Sequence, residues 1–565
     1  MEKDIPALFR PAIPRDEYVS GFTDKSDERI EVGVLFVGAG PASLAGAIRL
    51  AQLCKQDPHL QELLGETPVA VVEKGKYPGA HLLSGAVVNP VSLRKLFPDL
   101  SDSDFPFSGP VTGESIYVFT TGRALKIPTP PTMNNHGNFV ASLSRLGRWM
   151  AEKAEELGVM VLAETVALKL IVEDGAVKGV RTGDKGLDRN GKPLPNFEPG
   201  VDIAAKVTVL GEGTQGHLAQ ALTEHFRLKR QNPQIYALGV KEIWEVPGRL
   251  DRVIHTMGWP LRPGKRYREF GGSFIYPMGE DKISIGLVVG LDYADASLSV
   301  HDLFQEFKTH PLVREILKGG KRSEQGWGAK TIPEGGFYAL PEKLHVPGAL
   351  LVGDAAGFVN VPALKGIHYA MESGMLAAES IAELLLSGKD PGRGDSLGAY
   401  DDAVRTSFIW KDLYKVRNMR QAFAQGFYAG GFLAVLMSLT GGAFPGWRFD
   451  SHADADTPVF LGAREYPKPD NAYLFDKLAS VYASGNRSRD NQPDHLRIAH
   501  EVPEAVGEAW INMCPALVYE WKEDESGKKM IITNPTNCVQ CGAITAKGGR
   551  LTPPEGGSGP EYKET

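Results

Sequence analysis

The chain has 565 residues, 42% of them hydrophobic and 23% charged, which is too long for one typical domain and ordinary for a globular protein. A net charge of -7 leaves no basic excess to displace counterions from a phosphate backbone, so nucleic acid is excluded as the main partner. Three of the four cysteines, Cys514, Cys538 and Cys541, crowd into the tail while Cys54 stands apart; this argues for a metal site in a reducing compartment and against a disulfide framework.

Residues 1–30 are polar and acidic and carry Pro6, Pro11 and Pro14. They hold neither an apolar signal core nor an Arg-rich amphipathic pattern, so an N-terminal extension is expected and no presequence. Residues 34–37 form a short apolar run, as in a parallel strand buried on both faces. Gly38-Ala39-Gly40-Pro41-Ala42-Ser43 turns from it directly into a helical pattern of Leu44, Ala47, Ile48 and Ala51. Strand, Gly-rich turn and helix in that order make a dinucleotide site. Gly38 serves the tight turn, Gly40 lets backbone approach a pyrophosphate, and Ser43 lets helix and strand pack closely. A second apolar strand at 69–72 ends in Glu73, an acid placed to accept hydrogen bonds from an adenosine ribose. It comes later than the usual ~20 residues because 56–67 reads as a polar insertion.

Residues 77–86 are small enough to run along a cofactor. A helix is expected at 142–157, on Leu143, Leu146, Trp149, Met150 and Ala154. Strands follow at 159–162, 167–173 and 177–182, the last two joined by an Asp174-Gly175 hairpin turn. The strand 206–210 ends in Gly211-Glu212-Gly213-Thr214-Gln215-Gly216, formally a second GxGxxG. A separate NAD(P) domain is one reading; the stronger is a return of the chain to the first cofactor, because no βαβ unit with an acidic strand end follows. Residues 234–345 alternate strand-like runs with turns and read as an inserted substrate domain. Within them Gly271-Gly272 reads by itself as a bulge or bend, and alternatively as a close approach to a flat ligand.

A strand at 349–352 leads through Gly353-Asp354-Ala355-Ala356-Gly357 to a helix opening at Lys365-Gly366-Ile367-His368. An Asp so placed binds a ribityl hydroxyl, and the helix start stabilises negative charge on a reduced flavin. The three Gly-rich turns together specify FAD better than any one of them. His368 is read either as an influence on the flavin or as a packed histidine. Residues 422–447 carry no charge, six glycines and a proline, with Arg417, Arg420 and Arg448 flanking them. A helix or helical hairpin lying in one leaflet is favoured by aromatic residues at both ends; a buried core segment and a true span are the alternatives. In the tail, Cys514-Pro515 and Asn537-Cys538-Val539-Gln540-Cys541 are pieces of a ferredoxin-like site, yet the next ligand position of a CxxCxxC run holds Ile544. A three-iron cluster, a four-iron cluster with an unusual fourth ligand, and a relic all remain open.

Over nearly its whole length the chain resembles the electron-transfer flavoprotein–quinone oxidoreductase family. The segments GAGPAS, GAHLLSGA, NHGNF, GWPL, GGSFIY, IGLVVGLDY, EGGF, GFVNVPALKGIHYAMESGMLAAES, CPALVYE, NCVQC and PEGGSGP carry the resemblance. It implies an α/β fold with a Rossmann-like FAD-binding domain of glutathione-reductase type (31–233 and 346–421) and an inserted α+β quinone-binding domain (234–345). A membrane-associated segment (422–447) and a C-terminal ferredoxin-like iron–sulfur domain (448–565) complete it. The implied enzyme is an electron-transferring-flavoprotein dehydrogenase, taking single electrons from a reduced electron-transfer flavoprotein and passing two to a membrane ubiquinone or menaquinone. It would sit monotopically on a membrane surface, on the cytoplasmic face of a bacterial inner membrane. FAD contacts are thereby assigned to Gly38, Gly40, Ser43, Glu73 and Lys74, then His81, Leu83, Ser84 and Gly85, then Val166. Gly211, Glu212 and Gly213 of the middle turn and Gly353, Asp354, Gly366 and Ile367 of the late element follow. Quinone contacts fall to Gly271 and Gly272, and cluster ligation ([4Fe-4S] or [3Fe-4S]) to Cys514, Cys538 and Cys541. Two departures stand out: the missing fourth cysteine in a shortened tail, and GDAAG where many members have a Cys-Ser-Pro version. The latter is nearer to FAD hydroxylases and prenyl reductases, so an NAD(P)H-dependent FAD reductase or hydroxylase is the alternative enzyme. A membrane-surface scaffold with a structural FAD is the non-catalytic one.

Overall fold

Two sheets, placed by the apolar runs above, organise the computed structural model, which describes residues 4–23, 28–85, 87–262 and 264–565. β1 (Ile30–Val37) is buried from Val32 onward and turns at Gly38, φ +89°, into α1 (Pro41–Gln56). Pro41 suits the first turn of a helix, where an amide would find no intrahelical acceptor. Residues 56–67 are not the polar insertion expected. They form α2 (Pro58–Leu64), capped by the Asp57 carboxylate and seated on buried Leu60 and Leu64, an i,i+4 pair.

Next come β2 (Val69–Val72), β3 (Glu114–Phe119), β4 (Ala124–Ile127) and α3 (Leu143–Glu156), the last capped by Ser142. β5 (Met160–Leu162), β6 (Ala167–Glu173), β7 (Ala176–Thr182) and β8 (Asp202–Leu210) follow. Then come β9 (Tyr236–Glu245), β10 (Val253–Gly258), β11 (Gly271–Pro277), β12 (Lys282–Gly290), β13 (Lys321–Pro333) and β14 (Ala349–Leu351). α4 (Ile367–Leu386) and α5 (Phe427–Leu439) precede α6 (Glu504–Met513) and the hairpin β15 (Tyr519–Glu523) and β16 (Lys529–Thr533).

The first sheet runs β6-β7-β8-β1-β2-β5, with Val19–Ser20 beside β6 and β14 beside β8. Its parallel part, β14, β8, β1, β2 and β5, is the open α/β arrangement that binds nucleotides at the carboxyl ends of its strands. β8 sits directly beside β1, so the second Gly-rich turn returns to the first and opens no separate sheet. The second sheet runs β13-β9-β12-β11-β10-β3-β4 and is antiparallel except for the β3–β10 pair. β3 and β4 join it from the 31–233 stretch. β11 holds unbroken register against β12 from Gly271 to Pro277, so the Gly271-Gly272 pair is neither bulge nor bend. The tail packs on this second sheet: Cys514, Cys538 and Ile544 share one core with Trp244, Trp327 and Tyr293.

α1 and α4 cross on small residues. A Cβ on Gly374 would stand 1.9 Å from the Ala42 carbonyl oxygen, and one on Gly46 2.6 Å from the Phe36 ring. Gly374→Ala therefore forces the two helices apart. Overpacking of this kind costs about 1–3 kcal/mol. The expected result is a lower urea midpoint together with faster loss of bound flavin, read on one purified variant.

Candidate functional site

Between the two sheets lies a cavity of about 1040 Å³. One wall carries the carboxyl ends of β1 and β2 with the turns that follow them; the opposite wall carries β9, β10 and β11. The cavity brings together Gly38, Gly40, Glu73, Lys74, His81, Leu83, Ser84, Gly85 and Val166. It also takes in Gly211, Glu212, Gly213, Asp354, Gly366, Ile367 and the Gly271-Gly272 pair. Ser43 and Gly353 do not line it. Ser43 is fully buried beneath Gly211, where a Cβ would meet its Oγ at 2.1 Å. Gly353, at φ +60°, donates its amide to Ser373 Oγ at 2.9 Å. Both shape the walls from behind.

The Glu73 carboxylate accepts from the Ala39 amide at 2.8 Å and the Gly75 amide at 2.6 Å. It thus fixes the first turn while still facing the cavity. The Glu212 carboxylate accepts from the Leu218 and Ala219 amides at 3.1 and 2.7 Å and caps the helix His217–His225. Its side-chain oxygens are committed there. His368 is buried against Tyr369 and Phe408 and does not line the cavity, as in the packed-histidine reading.

Several features test the cavity against FAD. α1 and α4 both open on it with glycine at the N-cap and no side-chain cap, so their first amides are left for a ligand. Lys74, Lys241, Lys330 and Lys365 line it, and among the described residues none of them forms an ion pair. Burial pushes Lys241 down to about 7 and Lys330 and Lys365 down to about 8. Such a surplus of desolvated cations suits an anionic occupant. Among the described residues neither ring nitrogen of buried His81 has a hydrogen-bond partner. Asp354 makes no hydrogen bond within the described residues, and burial pushes its carboxyl up to about 6. A dinucleotide bearing phosphates and a polyhydroxyl chain fits this donor and acceptor set.

Lys241 is the site residue that pattern reading missed. Its ammonium donates to the Ser84 carbonyl at 2.6 Å and ties β9 to the loop beside the cavity. Its signal was present: Lys241-Glu242 is a charged pair inside an otherwise apolar strand, and both residues are buried. His255 and Tyr276, hydrogen-bonded at 2.7 Å, were missed as well.

At the far end the wall turns apolar. Phe270, Phe423, Phe427, Phe432 and Val435 line it, beside Glu334 and Arg420. α5 lines the cavity and also bares Tyr428, Phe432, Val435 and Leu439, which are 79, 65, 56 and 78% exposed. At 13 residues, about 20 Å, α5 cannot cross a hydrocarbon core of about 30 Å, and no described helix is long and apolar enough to span. The spanning alternative falls. Of the flanking arginines only Arg448 is exposed; Arg417 and Arg420 are buried.

Behind the wall, Cys514, Cys538, Cys541 and Ile544 enclose one small apolar space. Burial and the neighbouring thiols push Cys541 up to about 12 and Cys538 higher still. Among the described residues no three His, Cys, Asp or Glu side chains converge on a single-ion site. The donor set is three soft thiols with backbone N–H groups directed at them: Gln540 N reaches Cys538 Sγ at 3.4 Å, and the Ala516, Leu517 and Val518 amides face Cys514. That chemistry suits an iron–sulfur cluster. Cys54 lies in the first sheet's core and takes no part.

Uncapped helix starts, Gly-rich turns and a flat cavity beside an antiparallel sheet define an α/β FAD-binding oxidoreductase. Solved structures share the fold. A geranylgeranyl bacteriochlorophyll reductase-like protein from Thermoplasma acidophilum aligns with TM-score 0.55 at 19% identity, covering 74% of this chain and 96% of its own. A myxobacterial chondrochloren halogenase of the FAD-dependent kind aligns with TM-score 0.50 at 16% identity, covering 74% and 92%. The sequence narrows the class. The family model "ETF-QO, ubiquinone-binding" matches residues 236–332, and "Electron transfer flavoprotein-ubiquinone oxidoreductase, 4Fe-4S" matches 471–563. Electron transfer flavoprotein-ubiquinone oxidoreductases from Pseudomonas aeruginosa and rice (Oryza sativa subsp. japonica) are each 39% identical, over 95% of this chain and 99 and 93% of theirs. The human mitochondrial protein is 39% identical over 94% of this chain and 89% of its own. The chain belongs to the electron transfer flavoprotein–ubiquinone oxidoreductase family, and as a member it is an oxidoreductase using FAD and an iron–sulfur cluster.

Asp354 has a pH signature. Its carboxyl is raised from 3.8 to about 6, so the folded state binds a proton that the unfolded state releases. Its contribution to stability falls as pH rises from about 4 to about 6 and stays lost above. Denaturation of flavin-free wild type and Asp354→Asn across that window should show the wild type losing stability relative to the variant.

Proposed function

We propose that this chain carries electrons from reduced electron-transfer flavoprotein through FAD to a ubiquinone that enters the cavity from the lipid. One observation supports it above all: a single cavity is walled by the flavin-type turns, by the Gly271-Gly272 strand and by α5, whose exposed apolar residues Tyr428, Phe432, Val435 and Leu439 form its open end. When bound, FAD accepts electrons singly and delivers two, matching a one-electron donor to quinone chemistry, while a cluster held by the tail cysteines carries single electrons.

The chain's own residues have few tasks. Gly38, Gly40 and the amides opening α1 would receive the pyrophosphate, and Asp354 the ribityl hydroxyls. Lys74, Lys241, Lys330 and Lys365 would offset the charge of phosphates and of a reduced ring. Backbone at Gly271 and Gly272 would face the quinone ring. A Cβ there would stand 2.0 Å from the Val288 oxygen or 2.6 Å from the Thr256 oxygen, so only glycine keeps that wall flat. No general-base dyad is required.

In domain terms, the first sheet with α1 and α4 would be the FAD-binding domain of glutathione-reductase type (31–233 and 346–421). The quinone-binding domain (234–345) would borrow β3 and β4 from it. The ferredoxin-like domain (448–565) would pack on the second sheet. Residues 422–447 would dip into one leaflet, placing the protein peripherally on the cytoplasmic face of a bacterial inner membrane.

Anaerobic addition of reduced electron-transfer flavoprotein should bleach the bound FAD, and a short-chain ubiquinone should restore it. NADPH should leave the spectrum unchanged; direct bleaching by NADPH would favour the reductase or hydroxylase reading. Replacing Trp447, 63% exposed and clear of the cavity lining, with Glu should weaken liposome co-sedimentation and cut turnover with long-chain quinone about tenfold. Turnover with a water-soluble quinone should persist.

A further inference from the structure

We propose that the tail of this chain holds a three-iron cluster on Cys514, Cys538 and Cys541 alone, with the Ile544 side chain occupying the corner a fourth iron would need. The inference rests on the electron-carrier reading of the tail given above and deepens it.

The loop geometry is that of an anion nest. Leu517 and Gln540 sit in the left-handed region at φ +50° and +52°, beside Gly542 at +88°. Non-glycine residues are held there only where the surroundings demand it. The effect is to turn successive amides toward sulfur: Ala516, Leu517 and Val518 onto Cys514, Gln540 onto Cys538, and Ala543 onto Cys541. Converging N–H groups of this kind stabilise thiolate and sulfide charge where no water reaches. The machinery for three thiolate-bound irons is therefore complete, and a bare relic would not need it.

The fourth corner is different. A cysteine at position 544 would continue the CxxCxxC run, and the Ile544 side chain lines the same space as the three thiols. Ile544 is 4% exposed and locked in place; a Cβ on Gly549 would stand 2.6 Å from its Cγ1. Elsewhere around the space, among the described residues, only Met513 and Tyr519 carry a side-chain heteroatom, and no carboxylate or imidazole lines it. A three-iron cluster needs one thiolate for each iron, which this set supplies. A fourth iron would face a branched hydrocarbon with no anionic ligand.

The test uses the full chain purified anaerobically with its flavin. Iron and acid-labile sulfide should stand at about three to four. The oxidised protein should show an electron paramagnetic resonance signal that disappears on one-electron reduction. Because a damaged four-iron cluster gives the same signal, the sample is also incubated with ferrous iron and thiol; the signal should persist. Ile544→Cys should remove the signal from the oxidised protein, restore one upon reduction, and bring iron and sulfide to parity. Ile544→Val should change nothing. Should Ile544→Cys not fold, Cys541→Ser should lose both iron and signal while keeping FAD. A wild-type signal appearing only upon reduction, or conversion of the cluster by ferrous iron, would overturn the proposal, as would flavin-loaded protein without iron. FAD bleaching by reduced electron-transfer flavoprotein, followed optically in the same sample, reports separately on the electron-carrier reading.

Discussion

The crossing of α1 over α4 is the constraint on which the site depends. Each helix opens on the cavity without a side-chain cap, and each presents roughly half a positive charge there. At Gly46 and Gly374 the two backbones come so close that no Cβ fits between them. The crossing point therefore sets how far apart the two helix starts stand. One follows the first Gly-rich turn and the other the late GDAAG element, and both starts open on the cavity. Glu73 reinforces one end by gathering the Ala39 and Gly75 amides.

A second constraint holds the apolar end of the cavity. Arg420, 4% exposed, donates to Glu334 at 2.7 Å and to Asp292 at 2.9 Å, and its guanidinium lies 4.0 Å from the Phe270 ring centre. These contacts tie the segment Met419–Ala422 to β12 and to the end of β13, immediately before the chain turns into α5. Removing one partner of a buried pair costs about 3–5 kcal/mol, so the root of α5 is firm. The helix itself has little to rest on: only Gly430 and Met437 are buried along it. A firmly rooted helix whose exposed apolar residues also line the cavity gives that cavity an open, apolar end.

Much of this was legible in the sequence for a physical reason. Buried parallel strands are short apolar runs, and tight turns out of them use glycine; these two signals placed β1, β2, β8, β14 and the three Gly-rich turns. Where the reading failed, the deciding partner was one that a tally of apolar residues does not see, close by or far away in sequence. Asp57 with Leu60 and Leu64 made a helix from a stretch whose composition read as polar insertion. Gly271 and Gly272 are required by the backbone oxygens of neighbouring strands, which no local pattern reveals, so a bend was the natural expectation. Glu212, expected as a cofactor contact, lines the cavity and also caps the helix that follows, a second task the Gly-rich pattern does not reveal. Lys241 illustrates the converse: a charge inside an apolar strand was a readable sign of a buried polar wall, and periodicity alone passed over it.

The tail raises the question of why a domain with an incomplete ligand set keeps its fold. Its place in the structure supplies an answer. Gln540 and Gly542 are themselves part of the cavity wall. Lys330 donates to the Gln540 carbonyl at 3.1 Å, the Thr331 amide and hydroxyl both reach the Cys541 carbonyl, and Gln215 reaches the Gly542 carbonyl at 2.9 Å. The carbonyls of the cysteine loop are thus pinned by donors from β13 and from the middle Gly-rich turn, independently of what its sulfurs hold. Gly559, farther along the tail, leaves no room for a Cβ beside His81. Losing a ligand at position 544 alters the metal chemistry without opening the flavin cavity to water. The same contacts keep the thiols directly behind the cavity wall, so a cluster of either nuclearity would stand next to the flavin.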